Sequence, residues 1–189
     1  MTTELPTVSR ENTSEVVLRQ RRLLLAVTGA SAALAGLGYA WWRSTESSVT
    51  EPVPGFWMLQ WDTPGGEILR AESFRARPLL VNFWATWCPP CIDELPLINA
   101  FYRENRANGW QVLALAVDRL APVQSFLGQH PLDFPVGMAG LSGTDLGRSL
   151  GNLTGGLPFT VVVGRGGAVL QRKLGRLSAG DLDAWRGLK

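Results

Sequence analysis

Residues 81–91 read VNFWATWCPPC, an apolar run that leads directly into two cysteines separated by two prolines. The short apolar run Leu79–Trp84 predicts a strand that is buried on both faces. Proline is preorganised for the first turn of a helix, so a helix is expected to begin at Pro89. Apolar side chains spaced three to four residues apart then give this helix a stripe that faces the core. The stripe consists of Ile92, Leu95, Ile98 and Tyr102.

The position of the two cysteines predicts their chemistry. A cysteine at a helix N-terminus faces unpaired backbone N–H groups and the positive end of the helix dipole, which favour thiolate over thiol. Cys91 lies one turn further into the helix and is expected to be shielded by it. The sequence therefore predicts an exposed nucleophile, Cys88, that attacks a substrate disulfide, and a buried Cys91 that releases the mixed disulfide.

Three other uses of the cysteine pair are less well supported. A purely structural disulfide between residues three apart closes almost no loop and would stabilise the fold little. A metal site would have the two thiols and the distant His130, which leaves a tetrahedral ion short of a ligand, so no metal or other cofactor is expected. A peroxidatic cysteine would want Thr and Pro at the positions of Ala85 and Val81.

The rest of the chain alternates between predicted strands and helices, which indicates an α/β domain with a mixed central sheet. Strands are expected in an opening hairpin (56–60 and 68–69) and at 112–117, 159–163 and 168–173. Helices are expected near 123–127, 144–150 and 181–188. The last helix is expected to be capped by Ser178 or Asp181.

The N-terminal part of the chain contains a candidate membrane span. Residues 23–42 carry no charge, and a helix of that length spans about 30 Å, the thickness of the hydrocarbon core of a bilayer. Three arginines precede this run, whereas Tyr39 and two tryptophans lie at its other end, a pattern that predicts a cytoplasmic N-terminus. We therefore expect a cytoplasmic tail (1–22), a transmembrane signal anchor (23–42), a tether (43–55) and a domain outside the inner membrane (56–189).

Two alternatives for this segment stay open, and both also export the domain. Gly38-Tyr39-Ala40 offers small residues for cleavage of a signal peptide. Arg21-Arg22 followed by two leucines is similar to a twin-arginine export signal. The apolar region of a secretory signal usually has only about 7–15 residues, so the length of this run favours the anchor.

The charge distribution excludes one class of partner. The chain has 18 Lys and Arg against 16 Asp and Glu, a formal balance of +2. Residues 1–43 hold five Arg and three Glu, and residues 44–189 hold 13 basic and 13 acidic side chains. A neutral domain without a basic patch argues against nucleic-acid binding.

On these motifs the chain resembles the TlpA/ResA group of membrane-anchored, periplasm-facing thiol–disulfide oxidoreductases of the thioredoxin superfamily. The motifs are residues 81–91, the ELP of 94–96, the GLPFT of 156–160, and the predicted anchor. The resemblance implies a thioredoxin fold, with a central mixed sheet flanked by helices. It also implies an extra strand–helix insertion after Val117, within Arg119–Leu153.

The resemblance also implies roles for residues near the cysteines. Pro158 matches the cis-proline of the family, which packs beside the cysteine pair and pairs with substrate backbone. Leu157 and Trp87 are expected to contact substrate, with Trp87 covering one side of the pair. Trp84 is two residues earlier on the strand and points the same way, and it is equally well explained as a core residue.

Two further positions concern proton transfer. Glu94 matches an acidic residue of the group's active site and is expected to take the proton when Cys91 becomes the attacker. The alternative is a solvated glutamate that is favoured by the dipole of the first helical turn. Asn82 occupies the position where cytosolic thioredoxins have a buried aspartate, and an asparagine cannot titrate. This departure shifts any proton-relay role toward Glu94 or water.

The expected function is that of a protein-disulfide reductase outside the inner membrane. The resemblance implies that its electrons come from a membrane thiol transporter of the DsbD/CcdA type. Its substrates would be cysteine pairs that must be reduced before haem attachment or copper insertion. The sequence leaves two alternatives open, a disulfide oxidase or isomerase, and a metallochaperone that transfers Cu(I) through the same thiols.

Overall fold

The computed structural model describes residues 52–188, and these form one seven-stranded sheet with helices on both faces. The strands are β1 (Gln60–Asp62), β2 (Ile68–Arg70), β3 (Leu79–Trp84), β4 (Gln111–Ala116), β5 (Val136–Met138), β6 (Phe159–Val163) and β7 (Val169–Leu174). The α-helices are α1 (Pro89–Asn105), α2 (Leu120–Gln129), α3 (Ser142–Ser149) and α4 (Ala179–Trp185). Short 3₁₀ helices lie at Phe56–Met58, Ala71–Phe74 and Arg106–Asn108.

The strand order is β2-β1-β5-β4-β3-β6-β7, with β3 near the centre. The pairs β3/β4 and β4/β5 are parallel, and the other four pairs are antiparallel. Val81 lies opposite Leu113 on β4 and Val161 on β6. The α/β architecture with a mixed sheet is therefore confirmed, as is the thioredoxin-like order of its elements.

The two faces of β3 and β6 belong to two separate cores, because successive side chains on a strand point in opposite directions. Leu80 and Trp84 pack with α1, α2 and α4 on what we call the α1 face. Val81 and Phe83 pack with α3 and the first two 3₁₀ helices on what we call the opposite face. All six side chains of β3 are buried, as the sequence predicts.

Two details differ from the sequence-based expectations. The opening hairpin is confirmed between β1 and β2, but Phe56–Met58 forms a 3₁₀ helix and the strand begins at Gln60. The strand β5 is short and was not located from the sequence. It is only three residues long and has Gly137 at its centre, where a Cβ atom would come within 3.0 Å of Trp61 Cβ. The segment between residues 119 and 153, where the resemblance implied an insertion, contains α2, β5 and α3.

The helices follow the predicted signals closely. The stripe of α1 is confirmed for Leu95 and Ile98, which are buried, whereas Ile92 and Tyr102 are partly buried. The capping of α4 by Ser178 is also confirmed. Its hydroxyl accepts a hydrogen bond from the backbone N–H of Asp181, and the carboxylate of Asp181 accepts one from the Ser178 N–H in return.

Within residues 52–188, no helix is both long enough and apolar enough to cross a bilayer. The predicted cytoplasmic tail, the predicted span at 23–42 and most of the predicted tether lie outside the described residues.

Candidate active site

The two cysteines form a disulfide at the junction of β3 and α1. The Sγ atoms are 2.05 Å apart and the Cα atoms 5.3 Å apart. Cys88 is the N-cap residue of α1, and its carbonyl oxygen accepts the first helical hydrogen bonds, from the N–H groups of Cys91 (3.0 Å) and Ile92 (3.2 Å). Pro89 follows at the first helical position, where its missing N–H costs nothing. A reversible disulfide thus lies at the positive end of the helix dipole.

The prediction of an exposed Cys88 is wrong for this disulfide form. Cys88 has 5% of its surface exposed and Cys91 has none. The sulfur of Cys88 is bonded to the sulfur of Cys91, which is fully buried, and this bond holds the Cys88 side chain against the protein. The order of exposure is the predicted one, but only an edge of Cys88 is open to a partner. The exposed residues at this place are Trp87, at 65%, and the two prolines between the cysteines.

Asp118 fixes the turn that precedes the cysteines, and the sequence analysis did not identify it. Its Oδ2 accepts hydrogen bonds from the backbone N–H (2.8 Å) and the hydroxyl (2.5 Å) of Thr86, and its Oδ1 accepts one from the Arg119 N–H. Burial opposes ionisation of Asp118, but these bonds outweigh it and hold the pKa below its usual value. The available signal was topological, because parallel strands β3 and β4 end at the same edge of the sheet.

Glu94 is completely buried, so the alternative of a solvated glutamate is wrong. Its Oε1 accepts a hydrogen bond from Asn82 Nδ2 (2.7 Å), and its Oε2 accepts one from the backbone N–H of Leu177 (2.7 Å). Burial raises the pKa of Glu94, and these two bonds, with the nearby charges of Arg176 and Lys173, partly offset that rise. The structure thus places a proton-accepting group one helical turn beyond Cys91.

Pro158 follows a cis peptide bond from Leu157, as the resemblance implied. The next residue, Phe159, pairs with Phe83 near the end of β3, which brings the start of β6 beside the turn that carries the cysteines. The carbonyl oxygen of Pro158 accepts a hydrogen bond from the Gly175 N–H. Leu157 is partly buried next to it.

Trp87 and Leu157 line the same shallow groove, of about 500 Å³, beside the cysteine turn. The opposite wall is formed by the insertion, including Leu141, which is 90% exposed, and Thr144. Trp84 is not part of this surface, because it is fully buried and its ring packs 5.4 Å from that of Phe126. For Trp84, the core interpretation is therefore confirmed.

Within residues 52–188, no cluster of three or more His, Cys, Asp and Glu side chains is arranged to hold a metal ion. His130 lies at the end of α2, and its ring stacks on Phe126 with 4.7 Å between the centroids. It contributes nothing to the cysteine turn.

Comparisons with known proteins agree with this geometry. The Redoxin family matches residues 49–184. The thiol-disulfide oxidoreductase ResA of Bacillus cereus (strain ATCC 10987 / NRS 248) is 26% identical over 164 residues, which cover 86% of this chain and 90% of that protein. The ResA of Geobacillus kaustophilus (strain HTA426) is 28% identical over 171 residues, covering 87% and 94%.

Solved structures share the fold. A thiol:disulfide interchange protein of the thioredoxin family from Chlorobium tepidum TLS is 27% identical, with a TM-score of 0.58 over 67% of this chain and 88% of that one. MTB DsbF superposes with a TM-score of 0.60 at 23% identity, over 71% of this chain and 96% of that one. The chain therefore belongs to the Redoxin family, as a ResA/TlpA-like thiol–disulfide oxidoreductase of the thioredoxin superfamily.

Proposed function

We propose that this protein is a membrane-anchored reductase that transfers two electrons from its cysteine pair to disulfides of protein substrates outside the inner membrane. The observation that carries the proposal is the disulfide at the N-terminus of α1 with a buried carboxyl group one turn behind it. A purely structural cross-link would not require an ionisable group with a raised pKa at that place.

The exchange reaction consists of two successive thiolate attacks. In the reduced protein the Cys88 thiolate attacks a substrate disulfide, so a bond forms between Cys88 and one substrate sulfur while the other leaves as a thiolate. Cys91 then loses its proton and attacks the Cys88 sulfur. The disulfide between Cys88 and Cys91 forms, and the second substrate sulfur leaves as a thiolate. Two electrons pass to the substrate, whose thiolates take up protons from solvent or protein groups.

Glu94 is the proposed acceptor of the Cys91 proton. It is three residues after Cys91 on α1, which places it on an adjacent helical face. Its pKa is raised by burial, which brings a carboxyl group closer to the working range of a general base at neutral pH. In the proposed role, Glu94 takes this proton as Cys91 attacks and then passes it to a substrate thiolate or to solvent, so Glu94 is ionised again once the disulfide has formed.

Trp87, Leu157 and Pro158 are the proposed substrate-contact residues. They lie at the edge of the cysteine turn, and two of them line the groove that the insertion closes on its other side. An extended substrate segment would place its cysteine at the exposed edge of Cys88 and its neighbouring side chain in this groove.

The proposed location rests on the charge pattern around residues 23–42. Arg19, Arg21 and Arg22 lie directly before this uncharged run, and Tyr39, Trp41 and Trp42 lie at its other end, which predicts that the following domain is outside the inner membrane.

The location has a direct test. A single cysteine introduced by Ser48→Cys, with Cys88 and Cys91 both changed to serine, should react with a membrane-impermeant maleimide added to spheroplasts. A matched Ser14→Cys protein should react only after lysis. Labelling of Ser14→Cys and not of Ser48→Cys in unbroken spheroplasts would overturn the proposed orientation.

The proposed electron source is a membrane thiol transporter of the DsbD/CcdA type, because an oxidising compartment requires that a reductant be recharged. The proposed substrates are cysteine pairs of proteins that receive haem or copper. Both proposals follow from the resemblance to the TlpA/ResA group.

Trapping tests the substrate class and the order of attack together. In the Cys91→Ser protein the mixed disulfide on Cys88 should accumulate in cells and be resolved by dithiothreitol. Mass spectrometry of the trapped species should identify an exported protein that has a cysteine pair. The Cys88→Ser protein is the matched control and should trap nothing. If the control traps partners and Cys91→Ser does not, the assignment of Cys88 as nucleophile is wrong.

The direction of electron flow is tested by equilibration with glutathione. A reductase should have a reduction potential far below the value of about −120 mV found for a strong disulfide oxidant. A value near −120 mV would overturn the reductase proposal and favour the oxidase alternative.

A further inference from the structure

Three polar side chains are completely buried together behind the cysteine turn. Asn82 on β3, Glu94 on α1 and Thr160 on β6 have no exposed surface. Asn82 connects the other two, because its Nδ2 donates to Glu94 Oε1 (2.7 Å) and to Thr160 Oγ1 (3.0 Å). We call these residues the buried polar triad. Asn82 and Thr160 have no role so far in the proposed exchange reaction.

The hydrogen bonds of Asn82 are unequally distributed. Both protons of its NH₂ group are used, one toward Glu94 and one toward Thr160. Its Oδ1 is buried and has no hydrogen-bond partner among the residues that the structure describes. The amide thus turns its NH₂ end toward Glu94 and Thr160 and its carbonyl end away from them, and this orientation has a physical reason.

The ionisation of Glu94 supplies that reason. A carboxylate can only accept hydrogen bonds, so an ionised Glu94 must be faced by the NH₂ end of the Asn82 amide. A protonated Glu94 has an O–H that needs an acceptor. Its Oε2 is already occupied by the Leu177 N–H, which leaves Oε1, the atom facing Asn82, as the site of the proton.

Thr160 is compatible with either state. Its hydroxyl accepts from Nδ2 in the arrangement observed, and a hydroxyl can equally donate to an amide oxygen. If the amide turns by half a rotation, Asn82 Oδ1 accepts from both the Glu94 O–H and the Thr160 O–H, and the NH₂ group takes the place that Oδ1 holds in the observed arrangement. A group at this place that could only donate, such as a backbone N–H, or only accept, such as a carboxylate, would allow only one of the two orientations of the Asn82 amide.

We propose that the Asn82 amide turns over when Glu94 gains a proton, with the Thr160 hydroxyl holding both orientations, so that Asn82 and Thr160 are the positioning residues for proton storage at Glu94. This inference rests on the proposed role of Glu94 as acceptor of the Cys91 proton. In the exchange step the proton leaves Cys91 Sγ and binds Glu94 Oε1, and the amide turns to accept its hydrogen bond. When Glu94 releases the proton, the amide turns back to the orientation observed in the disulfide form.

The surrounding charges come from a few elements only. Lys173 on β7 and Arg176 in the segment before α4 favour the ionised form of Glu94. Their own partners are acidic, since Lys173 binds Asp181 on α4 and Arg176 lies 3.8 Å from Asp93 on α1. The other neighbours of Glu94 in its hydrogen-bond network, Asn82 on β3, Thr160 on β6 and the Leu177 N–H, do not titrate. Cys88 and Cys91, in the turn before Glu94, do not titrate while they form the disulfide.

The test follows the amide directly in the oxidised protein. Isotope-labelled full-length protein in detergent micelles is titrated by NMR, with the Glu94 carboxyl carbon and the Asn82 side-chain NH₂ both assigned. At high pH the Asn82 NH₂ protons should show a nuclear Overhauser effect to the Thr160 methyl group. That effect should disappear as the pH falls, with the same midpoint as the Glu94 carbon.

The Glu94→Gln protein locks the triad in one orientation. The amide NH₂ of the glutamine resembles the O–H of a protonated glutamate, so Asn82 should present Oδ1 to it at every pH. The effect to the Thr160 methyl group should then be absent throughout the titration. Its persistence in Glu94→Gln, or its presence in the wild type at both ends of the titration, would overturn the proposal.

A kinetic test uses Asn82→Asp, which places two carboxyl groups 2.7 Å apart and lets them share one proton. The pH midpoint for resolution of the mixed disulfide by Cys91 should rise by about one unit or more. The matched control is Asn105→Asp. Asn105 is also buried, but it lies on α1 and donates to the Phe101 carbonyl oxygen. An equal shift in both variants, or none in Asn82→Asp, would overturn the proposal.

The proposed function and the inference about the Asn82 amide can fail independently of each other. If the wild-type protein does not reduce insulin disulfides at all, the proposed function is wrong, while the NMR titration still reports whether the amide turns. If insulin is reduced and the amide does not turn, only the inference about Asn82 and Thr160 is wrong.

Discussion

The two faces of the central strands carry different kinds of residues, although they are built from the same backbone. On the opposite face, β3 and β6 present only apolar side chains, such as Phe83 and Phe159, whose rings lie 5.8 Å apart. On the α1 face the same strands present Asn82 and Thr160, hydrogen-bonded beneath the cysteine turn. On these two strands the opposite face is therefore wholly apolar, whereas the α1 face holds a buried polar pair at the place where we propose proton transfer through Glu94.

The largest expected effect is a loss of stability, and it comes from a substitution on the opposite face. Phe83→Ala should lower the free energy of unfolding by about 3–5 kcal/mol, because it removes a buried ring and leaves a cavity. Urea unfolding measures the loss. The disulfide-exchange rate of the folded fraction should stay close to the wild-type value. A large drop in that rate at unchanged stability would mean that the two faces are not separate in function.

The next effect concerns Glu94 on the α1 face, where one substitution should lower the activity and raise the stability. Glu94→Gln should slow resolution of the mixed disulfide about 10²-fold at neutral pH, the contribution expected of a lost general base. Because burial raises the pKa of folded Glu94, the unfolded chain ionises first as the pH rises, and stability is lost through that window.

The stability of Glu94→Gln relative to wild type should therefore increase as the pH rises above about 4.5, the value from which the Glu94 pKa is raised. Thermal unfolding at several pH values measures this difference. Glu104→Gln, an exposed glutamate on the same helix, is the control and should show no such trend. A difference that shrinks with rising pH would contradict the assignment of Glu94 as a buried group with a raised pKa.

A smaller effect lies at the cap of α4, which packs on the α1 face. Asp181 accepts from Lys173 Nζ and from Ser178, and these bonds lower its pKa to about 2. Asp181→Asn should cost about 1 kcal/mol at pH 7, the typical value of a lost cap. The folded pKa is depressed, so this stability is complete above about 4 and is lost as the pH falls toward 2.

Urea titrations at pH 7, 4 and 3 should accordingly show a difference between wild type and Asp181→Asn that shrinks at the lowest pH. Asp183→Asn, on the same helix but with an exposed side chain, is the control and should change stability little. A constant difference across the three pH values would show that the Asp181 charge is not the cause.

The smallest expected effect on stability is at the surface of the α1 face. Trp87 is 65% exposed, so Trp87→Ala should change the unfolding free energy by no more than about 0.5 kcal/mol. Its kcat/KM toward a protein disulfide should fall about five-fold, which corresponds to about 1 kcal/mol of lost contact. With a small disulfide such as oxidised glutathione the fall should be absent. An equal loss with both substrates would argue against a role in protein recognition.

Whether a feature of the fold or of the site could be predicted from the sequence depends on how far apart in the chain the interacting residues are. The strand β3, the start of α1 at Pro89 and the cap at Ser178 depend on neighbours within a few residues, and the sequence predicted all three. The strand β5 was not located, because three residues around a glycine carry no periodic signal. The Thr86–Asp118 contact was missed because it joins residues 32 apart that meet only at one edge of the sheet.

The environment of Glu94 likewise could not be predicted from the sequence, because it depends on contacts with residues that are distant in the chain. From the sequence, a solvated glutamate and a buried proton acceptor were equally compatible with its position one turn after Cys91. The structure decides between them because β3 and the segment before α4, 12 and 83 residues away along the chain, supply the Asn82 amide and the Leu177 N–H.

The sequence by itself determined the strand–turn–helix with two cysteines at its junction, because apolar runs, proline and helix-end electrostatics act locally. Only the tertiary structure decided which side chains surround that junction. Strand pairing brings β6 and its Thr160 beside β3, and the segment before α4 supplies the Leu177 N–H to Glu94. Burial and hydrogen bonding set the proton affinity of Glu94, and both depend on contacts between residues that are distant in the chain.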